Sequence, residues 1–176
     1  WGYTNVLEEM GKTEEDVRAL KTMDELADFA EGLKAEGFDE WYVSTGFLGQ
    51  YMLRELFWTF IYQQTTPDDY AIKAEFMQDG VKWTDEEFLN ACKAIQAMAR
   101  MTREDVLSLD YQTDHYSIML NQEAWGSLYD GPWATAVLID NPDAINNVFG
   151  FFHPPVVEGA ATNVWAADAG QILCME

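Results

Sequence analysis

The stretch Tyr129-Asp130-Gly131-Pro132-Trp133-Ala134 confines this chain more than any other. Proline has a fixed φ and no backbone N–H, which suits it to the first turn of a helix. Gly131, just before it, permits the tight reversal that such a helix start needs. The segment therefore reads as a strand end, a turn and a helix start, with Trp133 in the first helical turn. The pattern extends from Trp125 to Pro155. There Val148-Phe149-Gly150-Phe151-Phe152 forms an apolar run stopped by Pro154-Pro155, which reads as a second buried strand. In open α/β sheets ligands bind at the strand-to-helix edge, so Trp133 occupies a rim position.

Helical periodicity accounts for most of the remainder. Tyr3, Val6, Leu7 and Met10 give a helical spacing from Trp1 to Met10, closed by Gly11. Thr13 to Asp16 is acidic and reads as exposed. Thr22-Met23-Asp24-Glu25 is a capping box, followed by the stripe Leu26, Phe29, Ala30 and Leu33. Lys34 and Gly37 mark the end of that helix. Trp41 to Thr45 has strand composition. Leu48 to Tyr62 is apolar on nearly every side, as in a buried helix. Thr84-Asp85-Glu86-Glu87 reads as a second capping box, with Phe88, Ala91, Cys92, Ile95, Met98 and Ala99 as the inward stripe. Tyr111 to Leu120 predicts another helix, and Asn163 to Ala167 a last strand.

A chain of 176 residues with 48% hydrophobic residues can bury a sizeable core, and we expect a single unit over 1–176. Its net charge of −21 leaves nothing to neutralise phosphates, which argues against nucleic acid and against an anionic membrane surface. No apolar run is long enough to span a bilayer. The first residue is Trp1, so the sequence reads as an excised piece whose localisation signal lies elsewhere. Cys92 and Cys174 are too few for a disulfide framework, and two free, buried thiols are expected.

Little points to catalysis. His115 and His153 are the only histidines, and with Cys92 and Cys174 they show no metal-ligand spacing. Nucleophile-elbow, phosphate-loop and dinucleotide fingerprints are absent, as is a calcium loop. Carboxylate pairs that could serve a glycosidase are unavoidable among 31 acidic residues. The sequence therefore predicts no catalytic residue, no metal and no cofactor. Tryptophan stands out instead, with seven in the chain. Core filling suits Trp58 and Trp125, and Trp83 suits a hydrophobic staple. An exposed aromatic at the Trp133 position suits a ligand with flat apolar faces and polar edges, as a sugar ring has.

Four motifs, in order along nearly the whole chain, resemble the carboxy-terminal lobe of extracellular solute-binding proteins of sugar ABC transporters, the maltose-binding-protein class. Tyr3-Thr4-Asn5-Val6-Leu7-Glu8-Glu9-Met10-Gly11 is similar to the family's Tyr-Asn segment and the helix that closes on Gly. Lys21-Thr22-Met23-Asp24-Glu25-Leu26 is similar to its Pro-Lys-Thr-Trp-Asp-Glu-Leu capping motif. Gly131-Pro132-Trp133-Ala134 is similar to its Gly-(Pro/Ser)-Trp-Ala turn, and Phe149 to Pro155 to its Gly-hydrophobic-Pro strand. Where the family usually has Gly-Lys-Ala-Ala-Met, this chain has Gln122-Glu123-Ala124-Trp125-Gly126.

The resemblance implies an α/β fold: the carboxy-terminal lobe of a periplasmic-binding-protein-like architecture, a small mixed sheet flanked by helices. It implies capture of a sugar or oligosaccharide in a cleft shared with an amino-terminal lobe that this chain lacks. Delivery to an ABC permease would follow, in an extracellular, lipoprotein-anchored or periplasmic setting. Trp133 matches the family's stacking tryptophan, either Trp1 or Tyr3 would line the same cleft, and Trp165 and Asp168 would lie near the hinge. The rival readings are a carbohydrate-active enzyme or accessory carbohydrate-binding module, and a purely structural interaction domain.

Overall fold

The computed structural model describes residues 1–37, 43–44, 50–65, 74, 78, 80–127, 134–150 and 160. The described residues are mostly helical, around one small sheet. In order, the elements are β1 (Gly2–Tyr3), α1 (Thr4–Glu9), α2 (Glu14–Arg18), α3 (Met23–Ala35) and β2 (Val43–Ser44). There follow α4 (Gln50–Gln64), α5 (Glu86–Arg100), α6 (Tyr116–Leu120) and β3 (Gly126–Ser127). Last come α7 (Ala134–Leu138), α8 (Pro142–Asn147) and β4 (Val148–Phe149). The strands lie in the order β2-β3-β1-β4. β1 runs antiparallel to both neighbours, and β2 runs parallel to β3. A small mixed sheet flanked by helices is thus present, but two-residue strands make helix packing the dominant architecture, more so than an α/β reading implies.

The amino end departs from a continuous helix. Gly2 and Tyr3 pair as a strand, and the helix starts only at Thr4. Tyr3, Val6, Leu7 and Met10 are buried as their spacing required. The helix closes in a Schellman turn: Lys12 N–H donates to Leu7 O at 2.8 Å and Gly11 N–H to Glu8 O at 2.9 Å. Gly11 takes φ +66°, a value that glycine adopts without strain.

The acidic stretch after it is itself a helix start. Thr13 Oγ1 accepts from Asp16 N–H, and Asp16 Oδ2 accepts from Thr13 N–H at 2.7 Å, completing a capping box. The bond from the Thr13 backbone holds the Asp16 carboxyl below its ordinary range. At α3, Thr22 Oγ1 accepts from Glu25 N–H, while Glu25 reaches one residue further back, to Lys21 N–H at 2.6 Å. The expected box at Thr84 does not form. Asp85 is the N-cap of α5, and its side chain turns back to accept from Lys82 N–H at 2.9 Å. Trp83 still lies against the first turn, its ring 4.9 Å from that of Phe88, although 62% of it remains exposed.

Helix α5 packs between α4 and α3. Its buried face is Phe88, Ala91, Ala94, Ala97 and Met98. The sequence pattern set Cys92 and Ala99 inward; the helix is rotated the other way, leaving both exposed. The reason lies in residue size. Small alanines at 91, 94 and 97 make up most of the face that is buried, and the helix packs against both α3 and α4. Cys92 is a free thiol on the exposed side, whereas Cys174 lies outside the described residues. Phe57, Trp58 and Phe88 form a ring cluster between α4 and α5, with centroids 5.5–6.1 Å apart. Beside it, Gln64 Nε2 donates to Phe60 O and Glu87 O, and Asn90 Nδ2 donates to Gln64 Oε1 at 2.9 Å.

On the solvent side, Arg100 clamps α5 to α3. It makes a bidentate pair with Glu31, both bonds at 2.8 Å, and a further bond to Asp28 at 2.6 Å. Asp24, Asp28 and Glu31 lie one turn apart, so α3 presents a line of carboxylates to one guanidinium. Beyond α5 comes a 3-10 turn (Val106–Ser108), and the helix expected from Tyr111 to Leu120 forms as a π turn (Tyr111–His115) that runs directly into α6. Asn141 joins α6 to α8: its Oδ1 caps Asp143 and Ala144 N–H, and its Nδ2 donates to Leu120 O at 3.0 Å.

This packing generates two predictions. A Cβ at Gly2 would lie 2.5 Å from Phe149 Cζ. Gly2→Ala should lower unfolding free energy by about 1–3 kcal/mol in denaturant titration, and Phe149→Leu in the same chain should restore part of it. The second concerns acid. The Arg100 bond holds the Glu31 carboxyl below its ordinary 4.5. A depressed carboxylate contributes stability above its ordinary value and loses it as pH falls through the folded value. From about pH 5 down to about pH 3 the melting temperature should fall more steeply in the wild type than in Arg100→Gln.

Candidate functional site

Strand directions set the geometry of the candidate site. β2 pairs with β3 in parallel, Val43 with Gly126 and Ser44 with Ser127. β1 opposes β3 at Gly2–Gly126 and opposes β4 at Gly2–Phe149 and Tyr3–Val148. β2, β3 and β4 therefore point the same way, and β1 points against them. One edge of the sheet gathers the carboxyl ends of three strands and the amino end of the fourth. Continuing the register by one residue, that edge reads Ser44, Ser127, Trp1, Gly150. In open sheets this carboxyl edge is where ligands bind.

Trp1 occupies the middle of this edge. It is half-buried and packs against the core cluster. Its carbonyl comes so near β3 that a Cβ on Gly126 would lie 3.1 Å from it, which makes a glycine the fitting partner there. Tyr3 does not share that place. It lies two residues in from the edge and is only 1% exposed. Its N–H donates to Trp125 O at 3.1 Å and its hydroxyl to Met119 O at 2.7 Å. Of the two aromatics that the resemblance offers for a cleft, Tyr3 is a core residue with its hydroxyl satisfied inside, and Trp1 lies at the sheet edge.

β3 ends on this edge at Ser127, and α7 begins at Ala134. The strand end, turn and helix start expected over Tyr129 to Trp133 lie between these flanks, outside the described residues. Trp133, Trp165 and Asp168 lie outside the described residues, as does His153.

Arg18 closes the far end of the edge, a role that sequence reasoning missed. Its Nη2 donates to Gly150 O at 2.8 Å and to Glu14 Oε2 at 3.2 Å, and its guanidinium lies 5.5 Å over the Phe149 ring. Glu14 Oε1 in turn accepts from Thr4 Oγ1 at 3.0 Å. This chain of contacts fixes the exit of β4 against α1 and α2. No local signal announces it, because Arg18 and Gly150 are joined only by folding.

Groups suited to catalysis do not converge here. His115 is buried, with its ring tilted against Tyr116. Among the described residues no three His, Cys, Asp or Glu side chains are grouped so as to hold a metal ion. No helix among them is long and apolar enough to cross a membrane. Among the described residues the edge carries Trp1 and strand-end backbone.

The core role of Tyr3 has a direct test. Tyr3→Phe removes the hydroxyl that Met119 O accepts from, and should cost about 1–2 kcal/mol of stability by denaturant titration. Any ligand affinity of the folded variant should stay unchanged.

No protein-family model matches this chain, and no curated protein or solved structure matches it either.

Proposed function

We propose that this chain is a carbohydrate-binding lobe, the carboxy-terminal half of a solute-binding protein that serves an ABC importer. The observation that most supports the reading is the single sheet edge at which three strand ends meet Trp1 and the β3-to-α7 connection starts. In this reading the sugar lies along that edge, its apolar face on the indole of Trp133 with Trp1 beside it. Its hydroxyls take hydrogen bonds from strand-end backbone. Trp165 and Asp168 stand near the hinge. An amino-terminal lobe supplies the opposite wall and closes over the ligand, which excludes water and shapes the surface that a permease reads. The protein binds and releases its ligand outside the cytoplasm and performs no turnover. The motif order from Tyr3 to Pro155 supports the same family reading.

The test is calorimetry with a panel of mono- and oligosaccharides on the two-lobed protein, repeated with Trp133→Ala. Loss of one aromatic stacking partner is worth about 1–3 kcal/mol. Affinity should therefore fall roughly tenfold to hundredfold, with an unchanged melting temperature. A folded variant with unaltered affinity removes Trp133 from the site. Release of reducing sugar from any glycan in the panel replaces the binding-protein reading with that of a carbohydrate-active enzyme.

A further inference from the structure

Among the described residues β4 is an edge strand, paired with β1 alone and over two residues, Phe149 with Gly2 and Val148 with Tyr3. Tyr3 N–H faces the other way, to Trp125 O, so alternation along β1 turns the backbone of Gly2 toward Phe149. So short a pairing has little stability of its own. It lies at the end of the range where strands separate while the rest of the fold stays intact.

Two contacts from Arg18 hold β4 from outside the sheet. Nη2 donates to Gly150 O at 2.8 Å, one residue past the pairing. The guanidinium lies 5.5 Å over the ring of Phe149, whose tip rests against Gly2. Gly150 is exposed, and a Cβ added there would meet nothing within 4 Å. Side-chain packing therefore does not hold it, and the bond to its carbonyl does. Arg18 is itself braced. Glu14 Oε2 accepts from Nη2 at 3.2 Å, Glu14 Oε1 accepts from Thr4 Oγ1 at 3.0 Å, and Val17 beside it is buried. Bonding a carbonyl while lying over a ring needs a planar cation with reach, which arginine supplies and lysine supplies in part.

We propose that Arg18 is a positioning residue for the candidate site: it latches β4 onto β1 and so keeps the strand-end backbone beside Trp1 in place for a ligand. The latch follows from these contacts, and its effect on binding rests on the reading of this edge as a sugar site.

Amide hydrogen exchange on the full, nitrogen-15-labelled chain tests the latch. Arg18→Met keeps cover over the Phe149 ring and removes the donor. Exchange at Phe149 N–H should quicken about tenfold or more, toward the rate of an unprotected amide. Arg18→Lys should restore part of the protection. Ala97→Gly weakens α5, away from the sheet, and should leave Phe149 exchange unchanged, because a local opening does not pass through that helix. Unchanged exchange in folded Arg18→Met overturns the latch, and so does an equal rise in Ala97→Gly. Calorimetry with the sugar panel on the two-lobed protein tests the positioning role. Affinity should fall with the fraction of molecules whose edge stays paired, about threefold or more in Arg18→Met, with partial recovery in Arg18→Lys and no loss in Ala97→Gly. Quickened exchange with unaltered affinity overturns the positioning role. A wild type that binds no sugar of the panel overturns the site reading and the positioning role with it, while exchange at Phe149 still decides the latch.

Discussion

Pairing of the amino end with the carboxy-terminal half is the constraint on which the rest of the structure depends. β1 lies between β3 and β4, and the Tyr3 hydroxyl reaches Met119 across 116 positions of sequence. A two-residue strand contributes little by itself. Its hold comes from the side chains at each end of the pairing: Tyr3 enters the core, and Gly2 lets the Phe149 ring lie against the backbone. Such distant pairing costs loop-closure entropy before it returns any contact energy. The helices that fill the interval therefore provide most of the packing that makes the closure favourable.

Those helices interact by two different means. On the inner side, α3, α4 and α5 share apolar faces, and the ring cluster of Phe57, Trp58 and Phe88 fills the space between α4 and α5. The amides of Gln64 and Asn90 set the register of those two helices, because a slip of one turn would leave a half-buried amide unpaired. On the outer side, Arg100 bridges three carboxylates of α3 with its one positive charge, in a chain whose net charge is −21. Exposed pairs of this kind contribute little individually. In so acidic a chain their main effect is to relieve repulsion along one helix.

The sheet edge follows from these contacts. Trp1 reaches the carboxyl edge only because β1 runs antiparallel to β3, and Arg18 fastens the exit of β4 beside it.

Local periodicity and capping chemistry are legible in the amino-acid sequence itself. The helix from Thr22 to Gly37, the glycine at 11 and the long helices near 50–64 and 86–100 depend on residues within a turn or two of each other. The same local chemistry is present at Thr13-Glu14-Glu15-Asp16, where a threonine three residues before an aspartate marks a capping box that charge alone obscures. Tertiary structure decided what depends on distant partners. Asp85 rather than Thr84 takes the N-cap position, and its side chain turns away from the helix to accept from Lys82 N–H. Cys92 is exposed because the helix packs on its neighbours through Phe88, Ala91, Ala94, Ala97 and Met98. Periodicity gives the width of an apolar stripe, whereas its direction is set by what packs against it. Tyr3 and Trp1 are two residues apart on one strand with equal claims on composition. Only pairing with residues more than a hundred positions away sends one ring into the core and leaves the other at the edge.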